Sequence, residues 1–440
     1  MFIPAEMRVQ RLALVVAVVA AAVLLRPGLS AGQATSRATA TLPAPTGSFA
    51  IGRVTLHLTD RSRVEPLDQD RRARELMVDV WYPADSAIGS TAGYFDVAAF
   101  DEAPTAGRLK SYFRTAYDAI KAGLVRTHAI ERARFARSIR SSPILVFSHG
   151  GGETRETYSA QMEDLASHGY VVAAITHTYD AVVTRLPDGR TIVFAPGRWR
   201  PFTETVLEGT PPLQGANPEQ WRWWAEDVRF VLNELSRSNR TPSSSMPFAG
   251  HLDLARVGAF GHSAGGFAAA TACQIDRRIK ACLNQDGLSL RAPYNLDPKG
   301  WGMDQAFMLI VRALPTGPPP DEELAAMKMT RSQVMELVAR LDARQDAVLR
   351  NTGKGSYRVI LRSEGTTHAD FGDLPLLQSR DLAEADTHAR ILRVALNFTR
   401  AFFDKTLKGT KTPLLDDHAV NEFVERVETF PPATRRKDRR

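Results

Sequence analysis

The chain has little cysteine and, beyond its first residues, no long hydrophobic run. Two cysteines among 440 residues are too few for a framework of disulfides. Cys273 lies in a predicted helix and Cys282 in the strand after it. We expect both to be buried free thiols, and a single disulfide between them is the alternative.

Excess charge of either sign is nearly absent from the body of the chain. The formal net charge is +7, but residues 1–34 contribute +2 and Arg435–Arg440 contribute +4, which leaves +1 for everything between. A protein that binds nucleic acid concentrates basic residues on its folded surface. We therefore predict no nucleic-acid partner and interpret the basic tail as a solvated end.

The N-terminus has the pattern of a secretory signal. Arg8 and Arg11 precede an apolar run of 14 residues, Leu12–Leu25, and small residues follow through Ala34. About 20 apolar residues are needed to cross a bilayer, so an uncleaved anchor is the less favoured alternative. We predict a signal peptide over residues 1–34, a linker over 35–48 and a secreted or periplasmic protein.

Strand and helix patterns alternate from residue 49 to about residue 410, which predicts one domain with a mostly parallel sheet covered by helices on both faces. Two alternating segments suit antiparallel strands at the start of the sheet, and the apolar runs after them suit strands buried on both faces. The alternating segments are Val54–Thr59 and Leu76–Tyr82; the apolar runs are Ile144–Phe147, Tyr170–Ile175, Val257–Phe260, Ile279–Leu283, Phe307–Val311 and Tyr357–Leu361.

Three insertions interrupt this alternation, near residues 90–140, 178–215 and 287–355, and are predicted to cap the site. The last contains a capping-box pattern at Thr330 and Gln333. The first contains an apolar helical stripe that could touch a lipid surface, although packing against the core is favoured. The stripe consists of Leu109, Tyr112, Phe113, Tyr117, Ile120 and Leu124. Residues 411–440 are predicted to be a C-terminal extension.

The strongest chemical signal is a Gly-x-Ser-x-Gly motif at Gly261–Gly265, between an apolar strand and a helix of small residues. A nucleophilic serine needs this context, because it stands on a tight turn where side chains on the flanking glycines would clash. An ordinary glycine-rich turn is the alternative. We predict that Ser263 is the nucleophile and that the Ala264 amide, at the helix N-terminus, stabilises an oxyanion.

A second glycine-rich segment, Ser148–Gly152, directly follows the apolar strand Ile144–Phe147. Such a loop can turn a backbone N–H toward a substrate, so we predict that the Gly151 amide is the second oxyanion donor. A phosphate-binding loop is the rival interpretation, but the segment lacks the Gly-Lys-Ser/Thr ending. No cluster has metal-ligand spacing and no dinucleotide fingerprint occurs, so we predict no cofactor and no metal.

The base should follow the last strands, since the chain order of such sites is nucleophile, acid, base. His368 lies in the loop after Tyr357–Leu361, whereas His388 is predicted on a helix surface and His418 in the tail. No acid directly follows Phe307–Val311. We therefore predict Asp286, after the strand Ile279–Leu283, as the acid that orients His368, a turn aspartate being the alternative.

Several segments resemble the secreted platelet-activating-factor acetylhydrolase family and its bacterial relatives. They are Pro143–Gly152, Tyr158–Ser159, Asp164–Tyr170, Gly261–Gly266 and His368–Phe371, within a resemblance that covers roughly residues 50–405. The resemblance implies an α/β-hydrolase fold, an acid at the position of Asp286 and oxyanion donors at Gly151 and Ala264. Two departures bear on substrate choice: Gly287-Leu288-Ser289 stands where the animal enzymes carry an aromatic residue, and the insertion 312–355 is long.

The sequence therefore predicts a secreted serine esterase that acts on carboxylic esters. The resemblance implies short-chain or oxidised phospholipids as substrates, and the apolar stripe of the first insertion leaves open a transient contact with a lipid surface. Polyesters or aryl esters, as for lipases and cutinases, are the alternative. A catalytically silent binding protein on the same scaffold is the rival from another class, and a missing member of the triad would favour it.

Overall fold

The computed structural model describes residues 40–195, 219–241, 246–287, 302–313, 317–318, 320–321, 324 and 330–433. The predicted signal peptide, the first part of the predicted linker and the basic tail lie outside these residues. Within the described ranges, no helix is long and apolar enough to cross a membrane.

A ten-stranded sheet forms the centre of the described part of the chain. Its strands are β1 (Ala50–Val64), β2 (Ala73–Ala84), β3 (Ile130–Glu131), β4 (Ser142–Ser148), β5 (Val171–Thr176), β6 (Leu252–His262), β7 (Ile279–Gln285), β8 (Ala306–Arg312), β9 (Ser356–Leu361) and β10 (Val424–Phe430). Two short pairs lie beside it: Ala40–Thr41 with Val125–Arg126, and Val183–Arg185 with Thr191–Val193.

The spatial order of the strands is β10-β9-β8-β7-β6-β4-β5-β2-β1-β3. The six strands from β9 to β5 run parallel to one another, whereas β10, β2 and β1 join by antiparallel pairing. Because parallel strands have the same direction, the chain segments after β4, β6, β7, β8 and β9 emerge at one edge of the sheet. All predicted site residues are in these segments.

The helices cover both faces of the sheet, as predicted. They are α1 (Ala103–Phe113), α2 (Tyr117–Lys121), α3 (Ser159–Ser167), α4 (Glu219–Arg240), α5 (Ala264–Ile275), α6 (Arg331–Arg350), α7 (Leu374–Gln378), α8 (Leu382–Lys408) and α9 (Pro413–Asp416). Apolar residues of α4, α5 and α6 share one buried cluster, and those of α3 and α8 share the other. Strands β4 and β5 are buried at every position because both of their faces are covered.

The described parts of the insertions pack against this core. In the first insertion, Leu109, Phe113 and Ile120 are buried in a cluster that includes Leu392 and Leu396 of α8. These stripe residues are therefore packing residues rather than a surface for lipid contact. In the third insertion, Thr330 and Gln333 form the predicted capping box at the start of α6.

The prediction of free thiols is wrong. Cys273 of α5 and Cys282 of β7 form a disulfide, with their Cα atoms 6.3 Å apart. Both side chains are fully buried. The sequence placed the two cysteines on neighbouring elements, but it did not reveal that the helix turns Cys273 toward the strand.

The central sheet continues beyond residue 410, because β10 pairs antiparallel with β9 and completes an edge of the sheet. Val424, Val427 and Phe430 are its buried apolar side chains. Their spacing of three residues differs from the two-residue alternation by which a strand is recognised, which explains why the sequence pattern did not reveal this strand.

Candidate active site

Ser263 stands on a strained turn between β6 and α5. Its backbone has φ 52° and ψ −117°, a conformation that is costly for a residue with a side chain. Both neighbouring glycines are required by close backbone contacts: a Cβ on Gly265 would come within 1.9 Å of the Ser148 carbonyl oxygen, and one on Gly261 within 2.3 Å of the Gly265 carbonyl carbon. The Ser263 N–H donates to the Gln285 carbonyl at 2.8 Å, which fixes the turn against β7.

Asp286 and His368 meet at this edge of the sheet. Asp286 follows β7 directly, and its Oδ2 lies 2.7 Å from Nδ1 of His368, which begins a short 3-10 helix, His368–Phe371. A carboxylate can only accept, so the imidazole proton is on Nδ1 and Nε2 remains as the basic nitrogen. The Asp286 side chain is almost fully buried, whereas 28% of the His368 side chain is exposed.

Arg312, which the sequence reading did not single out, completes the surroundings of Asp286. Its Nε donates to Asp286 Oδ2 at 2.8 Å and its backbone N–H to Oδ1 at 3.2 Å. Burial acts against the ionised carboxyl, but the His368 hydrogen bond and the Arg312 charge outweigh it and hold the pKa of Asp286 well below its usual range. Arg312 is the last residue of β8, the strand after which an acid is expected in such sites. Its position at that strand end is the sequence feature that could have indicated a site residue.

The predicted oxyanion loop follows β4. The backbone N–H of His177 donates to Nε2 of His149 at 3.1 Å, so the proton of this ring is on Nδ1, which donates to the Gly150 carbonyl at 2.6 Å. Burial, the neighbouring His177 and nearby arginines lower the pKa of His149 well below its usual value. A neutral imidazole therefore braces the loop that carries Gly151.

A buried polar network lies behind this loop. His177 is 2.8 Å from Asp227 through Nδ1 and 3.0 Å from the Ser148 hydroxyl through Nε2, and its ring stacks on Trp224. Although burial opposes ionisation, the guanidinium of Arg74 and other cationic partners hold the pKa of Asp227 well below its usual range. These residues come from segments far apart in the sequence, and no local pattern marks them.

The helix that begins at His368 is held by a second imidazole–carboxylate pair. Asp370 Oδ2 accepts from the Thr367 N–H at 2.5 Å, and its Oδ1 lies 2.5 Å from Nδ1 of His388 on α8. Burial lowers the pKa of His388, but the Asp370 contact outweighs it and the net shift is upward. His388 is thus attached to the segment that carries His368.

The structure therefore brings Ser263, Asp286 and His368 to one edge of the sheet, with the Gly151 loop and the first residue of α5, Ala264, beside them. The first amides of a helix have no partner within the helix, so the Ala264 N–H is available at this end of α5. Among the described residues, no group of histidine, cysteine, aspartate and glutamate side chains could hold a metal ion.

This architecture defines the class of protein as an α/β-hydrolase. A ferulic acid esterase from Streptomyces cinnamoneus has a similar structure, with a TM-score of 0.62 and 28% sequence identity. The superposition covers 88% of this chain and 97% of that enzyme. The fold predicted from the sequence is confirmed.

Within this class, residues 34–186 match the family model of platelet-activating factor acetylhydrolase, isoform II. A probable 1-alkyl-2-acetylglycerophosphocholine esterase from Arthroderma benhamiae is 27% identical over 268 residues. That match covers 56% of this chain and 58% of the fungal protein. The platelet-activating factor acetylhydrolase of Canis lupus familiaris is 63% identical over 35 residues, which is 8% of each chain. These matches confirm the resemblance seen in the sequence.

Proposed function

We propose that this protein is a serine esterase in which Ser263 is the nucleophile, His368 the base and Asp286 the acid. The observation that carries the proposal is the buried, ionised Asp286 hydrogen-bonded to His368 at the sheet edge where Ser263 occupies a strained turn. The relatives named as esterases and acetylhydrolases support the same reaction class.

In the proposed reaction, Ser263 Oγ attacks the ester carbonyl while Nε2 of His368 takes its proton. The amides of Gly151 and Ala264 stabilise the negative charge that develops on the carbonyl oxygen. Asp286 keeps the imidazole in the Nδ1-protonated form and stabilises the imidazolium. His368 then protonates the leaving alkoxide, and water, deprotonated by the same imidazole, releases the acid.

A fluorophosphonate probe tests the nucleophile. The wild type should be labelled and Ser263→Ala should not, because the probe reacts with an activated serine hydroxyl. Ser356→Ala is a matched control: this buried serine begins β9 at the opposite edge of the sheet and bonds the Leu349 carbonyl. Equal labelling of the wild type and Ser263→Ala would refute the assignment.

The substrate proposal has two candidates, each favoured by a relative. The acetylglycerophosphocholine esterase favours short-chain phospholipid esters, and the ferulic acid esterase, which the chain covers almost completely, favours aryl esters. Hydrolysis rates on p-nitrophenyl esters of graded acyl length, on a phosphocholine ester and on a ferulate ester distinguish them. No turnover of any ester would favour the silent binding protein, and turnover that survives His368→Ala would refute the assignment of His368 as the base.

Export is the last part of the proposal, with residues 1–34 as a cleaved leader and a secreted or periplasmic product. It rests on the apolar run Leu12–Leu25 and its basic and small-residue flanks. The intact mass of the exported protein tests it, since cleavage near Ala31 or Ala34 removes the whole leader. An exported product that retained its leader would indicate an anchor instead.

A further inference from the structure

Three side chains without a role in the proposed reaction meet between the oxyanion loop and the nucleophile strand. Tyr158 is buried, and its hydroxyl bonds Oε2 of Glu153 and lies 2.6 Å from Nδ1 of His262. The Gly150 N–H points to the same place, 3.1 Å from Glu153 Oε2 and 3.3 Å from the Tyr158 oxygen. One hydroxyl therefore joins the start of the oxyanion loop to the residue before Ser263.

With Glu153 ionised, the hydrogen-bond donors and acceptors of this cluster can be assigned in one way. A carboxylate can only accept, so the single hydroxyl proton of Tyr158 goes to Glu153. The two lone pairs of the Tyr158 oxygen then accept from the Gly150 N–H and from His262. Nδ1 of His262 must therefore carry the proton, and the hydroxyl has no unused hydrogen-bonding capacity.

His262 connects this cluster to the proposed base. Its ring centroid is 4.5 Å from that of His368 and 5.4 Å from that of Phe371, which lies on the same 3-10 helix as His368. Its Nε2 is buried and has no hydrogen-bond partner among the described residues. A hydrogen on Nε2 would be a buried donor without an acceptor, which agrees with the proton on Nδ1, and the His368 ring rests against this imidazole.

We propose that Tyr158 is a positioning residue, which holds the oxyanion loop through Gly150 and the His368 ring through His262. The proposal rests on the proposed function. The Tyr158 ring is itself fixed, since it packs on Phe147 of β4 with the centroids 4.7 Å apart. One rigid side chain thus sets the distance between the oxyanion donors and the base, on which the rate of an acyl transfer depends steeply.

Tyr158→Phe removes the hydroxyl and keeps the ring. In this variant, the Gly150 N–H and the His262 Nδ1–H both depend on the Glu153 carboxylate as their acceptor, and its Oε2 lies 3.3 Å from His262 Nδ1. We expect kcat for p-nitrophenyl acetate to fall about 10- to 100-fold, because sub-ångström misplacement of reacting groups costs rate. KM should change less than about threefold, because the hydroxyl is not placed in contact with the substrate.

Tyr170→Phe is the matched control. Tyr170 is also a fully buried tyrosine, and its hydroxyl donates to a carboxylate, Asp404, at 2.7 Å. It directly precedes β5, so it lies at the end of the strands opposite the proposed site. Its kcat should stay within about twofold of the wild type, while both variants lose one buried hydrogen bond. Melting temperatures of both variants separate a loss of stability from a loss of positioning.

His262→Gln and the double variant with Tyr158→Phe complete the test. If the two residues act through one chain of contacts, the fall in kcat of the double variant should be no larger than that of the more impaired single variant. Three outcomes would overturn the proposal: Tyr158→Phe within twofold of the wild type, an equal loss in Tyr170→Phe, or multiplicative losses in the double variant. If Tyr158→Phe does not fold, the kcat and KM of His262→Gln decide in the same way.

A readout without turnover separates this proposal from the proposed function. Histidine NMR should show an Nδ1-protonated imidazole that disappears in His262→Gln and shifts in Tyr158→Phe but not in Tyr170→Phe. No change in Tyr158→Phe would refute the hydrogen-bond chain. An absence of ester turnover in the wild type, by contrast, would refute the proposed function and leave the NMR test intact.

Discussion

At the scale of single residues, the pKa values of two buried aspartates near the site are shifted in opposite directions. Asp286 has the His368 imidazole and the Arg312 guanidinium as neighbours, and their interactions hold its pKa well below the usual range against the effect of burial. Asp373 follows the His368 segment, and its carboxyl accepts long hydrogen bonds of 3.3 and 3.4 Å from the Ala160 N–H. Burial and the nearby Glu163 raise its pKa well above the usual range. The surroundings thus favour the ionised form of an aspartate in one place and the protonated form in the other.

Amide substitutions of these two aspartates should have opposite consequences. Asp286→Asn allows the wrong tautomer of His368, so we expect kcat to fall about 10³- to 10⁴-fold with little change in KM. Asp373→Asn keeps the shape of the side chain at a position without a role in the proposed reaction, so kcat should stay within about threefold. Steady-state kinetics of the two variants check this prediction, and equal losses would contradict it.

The stability of Asp373→Asn should depend on pH in a defined direction. A carboxyl whose pKa is raised on folding contributes stability below its unfolded pKa of about 3.9, and this contribution is lost as the pH rises through the folded pKa. The amide cannot ionise. The variant should therefore gain melting temperature relative to the wild type as the pH increases from about 4 to 8, and a constant difference would contradict the raised pKa.

At the scale of elements, the 3-10 helix His368–Phe371 depends on α8. Four residues are too few to form a stable helix alone, and this one is held by its capping residue Thr367, by Asp370 and by His388 across the gap to α8. Because the segment carries the proposed base, the Asp370–His388 pair links the position of α8 to the site.

His388→Gln should weaken this attachment in a pH-dependent way. The folded-state pKa of His388 is raised, so its contribution to stability is complete below the unfolded pKa of about 6.5 and is lost as the pH rises through the folded pKa. We expect the melting temperature of His388→Gln to fall below that of the wild type more at about pH 6 than at about pH 9. His418→Gln is the control, since His418 is exposed and its Nε2 forms a hydrogen bond with the Thr429 hydroxyl rather than with a carboxylate. A pH-independent difference would refute the charged pair.

At the scale of the whole molecule, the sheet does not end where the strand and helix alternation ends. Strand β10 covers the edge of β9 and adds the buried side chains of Val424, Val427 and Phe430. An unpaired edge strand exposes a row of backbone donors and acceptors, which promotes aggregation. The last strand is therefore part of the folding unit.

Truncation tests this boundary. A chain that ends at residue 410 loses β10, and we expect it to aggregate or to melt well below the full chain. A chain that ends at residue 433 keeps β10 and loses the basic tail, so its melting temperature should match that of the full chain. Thermal melting followed by circular dichroism measures both, and equal stability of the two truncations would contradict the role of β10.

The sequence by itself determined the features that depend on a few consecutive residues. Apolar runs flanked by polar residues indicated the buried parallel strands, and the glycines around Ser263 indicated a turn that only small residues permit. Chain order then selected Asp286 and His368 as candidates, and the structure places their side chains 2.7 Å apart across 82 residues of sequence. The site could be recognised from the sequence because only glycine fits at the positions around Ser263.

Only the tertiary structure decided which distant side chains meet. The Cys273–Cys282 bond depends on the rotation of α5, the Arg312 contact on the register of β7 and β8, and the Tyr158 cluster on two segments far apart in the sequence. Strand β10 became recognisable only through its pairing, because its buried positions do not alternate. Local periodicity encodes the form of each element, whereas register and rotation follow from packing of the whole core, which no short stretch of sequence contains.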